Sequence, residues 1–243
     1  TEGEQPADVF GDAVYIADIG IITESVAGFN PASNAGSIYG LGEICIVNSA
    51  ILSNTGSGAF GCFAPALYLR NTLVAYNGST HPWFPSGVLS ESGSVHCSSV
   101  LHNAGSGIMV NHAIDLRNSI IWGNQQQIYG DDDFYTSAYN CIESWTRLDH
   151  GTISNDPQFV DAAAGDFRLL DTSPCINAGT NMPWMWTATD LDGNPRIQYD
   201  VVDMGCYESA VPEPGAIAIV ALVAIWGRRN DHARRVGRMA NSE

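Results

Sequence analysis

Four segments decide the fold: Ile46-Val-Asn-Ser-Ala-Ile-Leu-Ser-Asn54, Leu69-Arg-Asn-Thr-Leu-Val-Ala-Tyr-Asn77, Val95-His-Cys-Ser-Ser-Val-Leu-His-Asn103 and Leu116-Arg-Asn-Ser-Ile-Ile-Trp-Gly-Asn124. They align without gaps. Each starts on an aliphatic residue, has Ser or Thr fourth, a β-branched residue sixth and Asn ninth. Their third residues are Asn48, Asn71, Cys97 and Asn118, and they recur at spacings of 23, 26 and 21 residues. A weaker copy reads from Ile16 to Glu24, with Asp18 third, 30 residues before Asn48.

Small residues follow the closing Asn: Thr55-Gly-Ser-Gly58, Gly78-Ser79 and Ala104-Gly-Ser-Gly107. Each unit therefore reads as a short strand, an Asn-containing corner and a Gly-rich turn. An Asn at a corner tolerates φ > 0 and satisfies backbone groups of the next rung. A unit this short cannot bury its own apolar side, so the units must stack. A leucine-rich repeat fits less well, because no helical half-repeat separates the strands. The expected fold is all-β, a right-handed parallel β-helix over residues 1–125. This pattern resembles the right-handed β-helix repeat proteins of bacterial surfaces, in the pectate-lyase-like superfamily, over about residues 10–125.

From Asp131 the periodicity gives way to short motifs: Tyr139-Asn-Cys-Ile-Glu143, Asn155-Asp-Pro-Gln-Phe-Val-Asp161, Ser173-Pro-Cys-Ile-Asn-Ala-Gly179, Asp190-Leu-Asp-Gly-Asn-Pro-Arg196 and Asp203-Met-Gly-Cys-Tyr-Glu208. Their order resembles the C-terminal module called the choice-of-anchor Q domain. We expect residues 126–208 to form final irregular coils and a cap, because an open β-helix end exposes a sheet edge. The resemblance implies Cys141 and Cys175 as the disulfide pair. Six Cys by themselves allow 15 pairings, and Cys206 stands where a small residue is expected.

Residues 209–243 read as a tail. Val211-Pro-Glu-Pro-Gly215 leads into the apolar run Ala216–Trp226, then Gly227-Arg-Arg229. Pro212, Glu213 and Pro214 with Arg228 and Arg229 resemble a PEP-CTERM sorting signal. That resemblance implies an exosortase-type partner, export, and transient membrane anchoring before release to the cell surface or matrix. The run is expected to form a short apolar helix of about 17–20 Å at 1.5 Å per residue, less than the ~30 Å hydrocarbon core. The chain opens at Thr1 without a signal-peptide pattern, so such a peptide is expected to be removed or to lie outside this sequence.

Charge sorts the same way. Residues 1–227 hold 24 acids and 5 Arg, a net −19, whereas 228–243 hold 2 acids and 5 Arg, a net +3. All ten basic residues are Arg, which leaves out Lys-based covalent chemistry. An acidic body does not suit a phosphate backbone, so no nucleic-acid partner is expected. Six Cys without a CxxC pair fit an exported protein.

The candidate chemistry is sparse. Arg70 and Arg117 are the only strong bases a polysaccharide lyase could use within the repeats, but both hold the second repeat position, which reads as structural. A hydrolase would stack Asp residues on adjacent coils, and the repeats hold only Asp18 and Asp115. His96 and His102 bracket Cys97 but also fall on repeat positions. Asp131, Asp132 and Asp133 are candidate Ca²⁺ ligands, as hard oxygen donors, against a solvated acidic turn; no other cofactor is expected. Trp83 stands in the longest loop and could stack on a sugar. The expected function is an exported structural or adhesive protein, with polysaccharide or matrix components as partners. The alternative is a carbohydrate-active lyase or hydrolase.

Overall fold

The computed structural model describes residues 9–10, 14–16, 18–28, 38–56, 61–79, 86–131, 135–148 and 150–210. Residues 1–209 form one compact unit and 210–243 a second. The apolar helix expected within 216–226 lies outside the described residues, as do Pro212, Glu213, Pro214, Arg228 and Arg229.

The first unit is a right-handed parallel β-helix. Its short-strand sheet stacks Val9–Phe10, Val26–Gly28, Ala50–Leu52, Leu73–Ala75, Ser99–Leu101, Ile120–Trp122 and Cys141–Ile142 in chain order. The long-strand sheet is built around Cys62–Arg70, Val88–His96 and Ser106–Arg117, all parallel. The sequence repeat is the hydrogen-bond register. Val74 pairs with both Ile51 and Val100, and Val100 pairs with Ile121.

Positions three and eight of the repeat turn the corners. Asn48, Asn71, Cys97 and Asn118 have φ between 49° and 52°, and Ser53, Tyr76, His102 and Gly123 also take positive φ. The left-handed conformation costs an ordinary side chain energy, which Asn and Gly feel least. The fourth position ties coil to coil. The backbone N–H of Thr72 donates to Ser98 Oγ at 3.2 Å and that of Ser98 to Ser119 Oγ at 3.3 Å. The ninth position forms an interior ladder, in which Nδ2 of Asn54, Asn77 and Asn103 donates to Oδ1 of Asn77, Asn103 and Asn124 at 2.7, 3.0 and 2.9 Å. Those same oxygens accept the backbone N–H groups of Asn54, Asn77 and Asn103. Corner conformation and the bonding of the interior backbone N–H groups are thus divided between different Asn residues.

Two copies differ from the sequence expectation. The copy before Ile46 is not Ile16–Glu24. Ile22 pairs with Ile46, Thr23 with Val47 and Ala27 with Ile51, while Glu24 takes the corner at φ 50°. Ile16 belongs to another strand and pairs with Gly40. Glu at the corner hides the copy, because the position is defined by backbone conformation rather than by Asn. The stack also runs past residue 125. Ser137 and Ala138 pair with Leu116 and Arg117, Tyr139 takes the corner at φ 57°, and Ile142 pairs with Ile121. In this copy Trp145 stands at the ninth position and packs on the interior core, ending the Asn ladder.

The interior holds the sixth-position residues Ile51, Val74, Val100, Ile121 and Ile142 against Ile46, Leu69, Val95 and Leu116. A second cluster lies on the outer face of the short strands. Leu73, Ala75, Leu101, Ile120 and Cys141 are covered there by Phe167, Leu169, Cys175, Met204 and Cys206. Short strands apolar on both faces are the consequence, as in sheets covered on each side. Residues 150–154 first pair along the last coil, where the His150 and Ile153 carbonyls accept from the Tyr139 and Ile142 N–H groups; the irregular segment after them runs along the side of the stack. An antiparallel pair, Phe159–Asp161 with Asp166–Leu169, opens this segment. Thr180 and Thr189 carbonyls accept from Asn118 and Asn71 at 2.9 and 2.7 Å. Fully buried Arg196 knits its end, donating to the carbonyls of Gly205 and Asp203, each at 3.0 Å, and pairing with Glu208 at 2.9 Å.

Candidate functional site

Alternation along the strand Ser106–Arg117 points Asp115 and Arg117 to the same outer face. Parallel register then sets Thr136 beside Asp115 and His96 beside Arg117. Asp115 accepts from His96 Nε2 at 2.9 Å, Thr136 Oγ1 at 2.7 Å, and Arg117 Nε at 3.0 and 2.8 Å. Burial alone would raise its pKa. The bonds from His96, Arg117 and Thr136 outweigh that and hold the carboxyl well below the usual range. Asp115 is thus a fixed carboxylate whose oxygens are taken, neither a proton donor nor a ready base. Arg117 commits only Nε to it, leaving both Nη atoms without a protein partner among the described residues.

A cleft of about 410 Å³ opens beside this cluster, lined by Asp115, Arg117, Thr136, Trp145, Arg147 and His150 among others. Arg147 and His150 come from the exposed turn after the last coil copy. Trp145 also borders a second recess of about 410 Å³, lined by Asn124, Gln125, Gln126, Gln127, Ile128, Glu143 and Ser144. There Gln127 Nε2 donates to Glu143 Oε2 at 2.7 Å and to the Asn124 carbonyl at 3.0 Å. One indole thus stands between a guanidinium-lined cleft and an amide-lined recess. An aromatic ring flanked by dense donors and acceptors suits a ligand with apolar C–H faces and many hydroxyls.

The other sequence candidates disperse. Arg70 lies over the Trp184 ring, 4.5 Å from its centroid. His96 faces Asp115, whereas His102 stacks on Tyr76 with centroids 5.6 Å apart, so the two histidines and Cys97 do not converge. Asp131 is exposed; Asp132, Asp133 and Trp83 lie outside the described residues. Among the described residues no group of three or more His, Cys, Asp or Glu is placed to hold a metal ion. Cys141 and Cys175 come together, their thiols in hydrogen-bond contact. Trp145, Arg147 and His150 escaped the sequence reading. The one signal that could have found them is Trp145 at the ninth position of a copy hidden by Tyr139.

No protein-family model matches this chain, and no curated protein or solved structure does either.

Proposed function

We propose that the chain is an exported, non-catalytic surface or matrix protein that binds polysaccharide in the clefts on either side of Trp145. Cys141 and Cys175, with the ordered motifs through Glu208, support an anchor-type C-terminal module. Pro212, Glu213 and Pro214, the apolar run and Arg228 with Arg229 support sorting by an exosortase-type partner. The observation that carries the binding reading is the saturation of Asp115. The cleft presents fixed charges and an indole, while its one carboxylate among the described lining residues is held ionised by three neighbours. Such a site offers fixed charges for recognition, and its carboxylate is not free to act as a general acid or base.

The test is a panel of soluble polysaccharides scored for both binding and breakdown. Saturable binding that Trp145→Ala weakens, with polymer length unchanged, is the expected result. Chain shortening abolished by Arg117→Ala would instead establish a carbohydrate-active enzyme. Sorting is tested separately, by replacing Pro212, Glu213 and Pro214 with Ala in a host that has the sorting machinery. Retention of the variant at the membrane is expected, and parent-like release removes the sorting claim.

A further inference from the structure

The irregular segment ends on a buried cluster of carboxylates. Asp190, Asp203 and Glu208 are buried together with Arg196, which pairs with Glu208 at 2.9 Å and leaves its Nε without a partner. Three ionised carboxylates against one guanidinium would leave negative charge uncompensated in a dry site, which burial penalises. The three are not equally served. Asp190 accepts from the backbone N–H groups of Asp192, Asn194 and Glu208 at 3.0, 2.7 and 2.8 Å and from Asn194 Nδ2 at 3.2 Å. Asp203 accepts from the Asn177 and Ser209 N–H groups, each at 2.7 Å, and Glu208 from Arg196 and the Asp203 N–H alone. The least compensated charges are therefore those of Asp203 and Glu208. Burial pushes the Asp203 carboxyl up to about 6 and that of Glu208 higher still, against the pull of Arg196. The other titratable groups facing the cluster are thiols: Cys97 at a coil corner, with Arg70 beyond it, and Cys175 and Cys206 of the segment itself. Burial raises Cys97 and Cys206, and the bond to Cys141 raises Cys175, so none of them adds a charge. The same bonds hold the chain. Ser209, the last residue of the first unit, is tied by its N–H to Asp203, Glu208 by its N–H to Asp190, and Asp203 by its N–H to Glu208.

We propose that this cluster is a proton-held clamp on residues 203–209, closed while the Asp203 and Glu208 carboxyls retain a proton and loosened as rising pH removes it. The sign follows from burial. A carboxyl raised on folding contributes stability that is complete below its unfolded value of about 4 and is lost as pH rises through the folded value. The clamped residues lead directly into Val211-Pro-Glu-Pro214, so opening bears on processing there. That consequence rests on the sorting reading above; the clamp itself does not.

Amide hydrogen exchange of the full chain tests the clamp at pH ~5, ~6.5 and ~8, with each rate divided by its intrinsic rate at that pH. Protection of the Asp203, Glu208 and Ser209 N–H groups, relative to the strand Leu73–Ala75, is expected to fall at least about tenfold across that range, from the proton on Asp203 alone. Glu208→Gln keeps an oxygen for Arg196 and the Asp203 N–H but cannot ionise, so its profile should be shallower than the parent's. Thermal unfolding checks that the variant folds; if it does not, the parent profile decides. Protection that is flat or rises with pH, that falls equally in Leu73–Ala75, or that falls as steeply in Glu208→Gln overturns the clamp. None of these outcomes touches the sorting reading, which fails separately if the variant with Pro212, Glu213 and Pro214 replaced is released as the parent is.

Discussion

Cys97 holds a corner that Asn occupies in the neighbouring coils, and the substitution leaves a mark. Asn71 Nδ2 donates to Asn48 Oδ1 at 3.1 Å, but Asn71 Oδ1 is buried without a partner. On the other side Asn118 Nδ2, which also donates to the Thr180 carbonyl, meets the Cys97 sulfur at 3.8 Å instead of an amide oxygen. An amide at position 97 would donate to Asn71 and accept from Asn118, completing the outer ladder, and Asn tolerates the φ of 49° better than Cys. Cys97→Asn is therefore expected to stabilise the protein by about 1 kcal/mol, raising the thermal midpoint by about 2–4 °C. Cys97→Ala should give no such gain, and a lower midpoint for Cys97→Asn would show that Met185 and Val202, which pack there, cannot accept the amide. This corner was half legible in the sequence. The third-position Asn pattern announced it, but only the coordinates show that these Asn take the corner conformation and an outer ladder, while the ninth-position Asn line the interior one.

The antiparallel Phe159–Asp161 and Asp166–Leu169 pair is seated on the coils by an aromatic stack. Tyr76, His102 and Phe167 form a three-ring cluster, with His102 5.6 Å from Tyr76 and 5.9 Å from Phe167 and the latter two 5.5 Å apart, and the Tyr76 hydroxyl donates to the Ala162 carbonyl. Gly123 makes room for this arrangement, since a Cβ at its φ of 69° would strike the imidazole. Burial lowers the His102 pKa, partly opposed by Glu143, and its Nε2 is buried without a hydrogen-bond partner. A folded pKa below the unfolded value of about 6.5 means that the unfolded chain binds the proton more readily. The contribution to stability is therefore complete above about pH 6.5 and is lost as pH falls through the folded value. Denaturant unfolding between pH ~7.5 and ~5 should show the parent losing more stability than His102→Phe. Asp203, which burial pushes up to about 6, titrates in both proteins and cancels in the difference. Parallel pH profiles for the two proteins would refute the assignment. The eighth repeat position sets Tyr76, His102 and Gly123 over one another, but nothing in the repeat announces Phe167, which the chain brings back from about 65 residues beyond His102.

At the scale of the molecule, two apolar clusters share one set of short strands. The interior cluster follows from the repeat, and the outer one exists only because residues 157–209 return along the side of the stack. Cys141 on the last coil and Cys175 on the returning segment meet at that seam, where their mutual hydrogen bond and then burial raise the Cys175 thiol well above its ordinary value. Protein matured under oxidising conditions is expected to carry a Cys141–Cys175 disulfide, visible in a non-reduced peptide map. Closing a loop of this length should add about 3–4 kcal/mol in the chain-entropy account, so a reductant should lower the thermal midpoint. A Cys141–Cys206 peptide would assign the seam to the other thiol of the same cluster. By itself the sequence determined the parallel stack, its register and its inward faces, because these arise from a pattern that repeats every coil and is read locally. Only the tertiary structure decided that the C-terminal segment, after pairing residues 150–154 along the last coil, returns along the side of the stack, and that Arg117, Arg147 and His150 share a cleft. Those pairings join residues at unrelated repeat positions, so they follow from where the chain returns in space, which no local periodicity encodes.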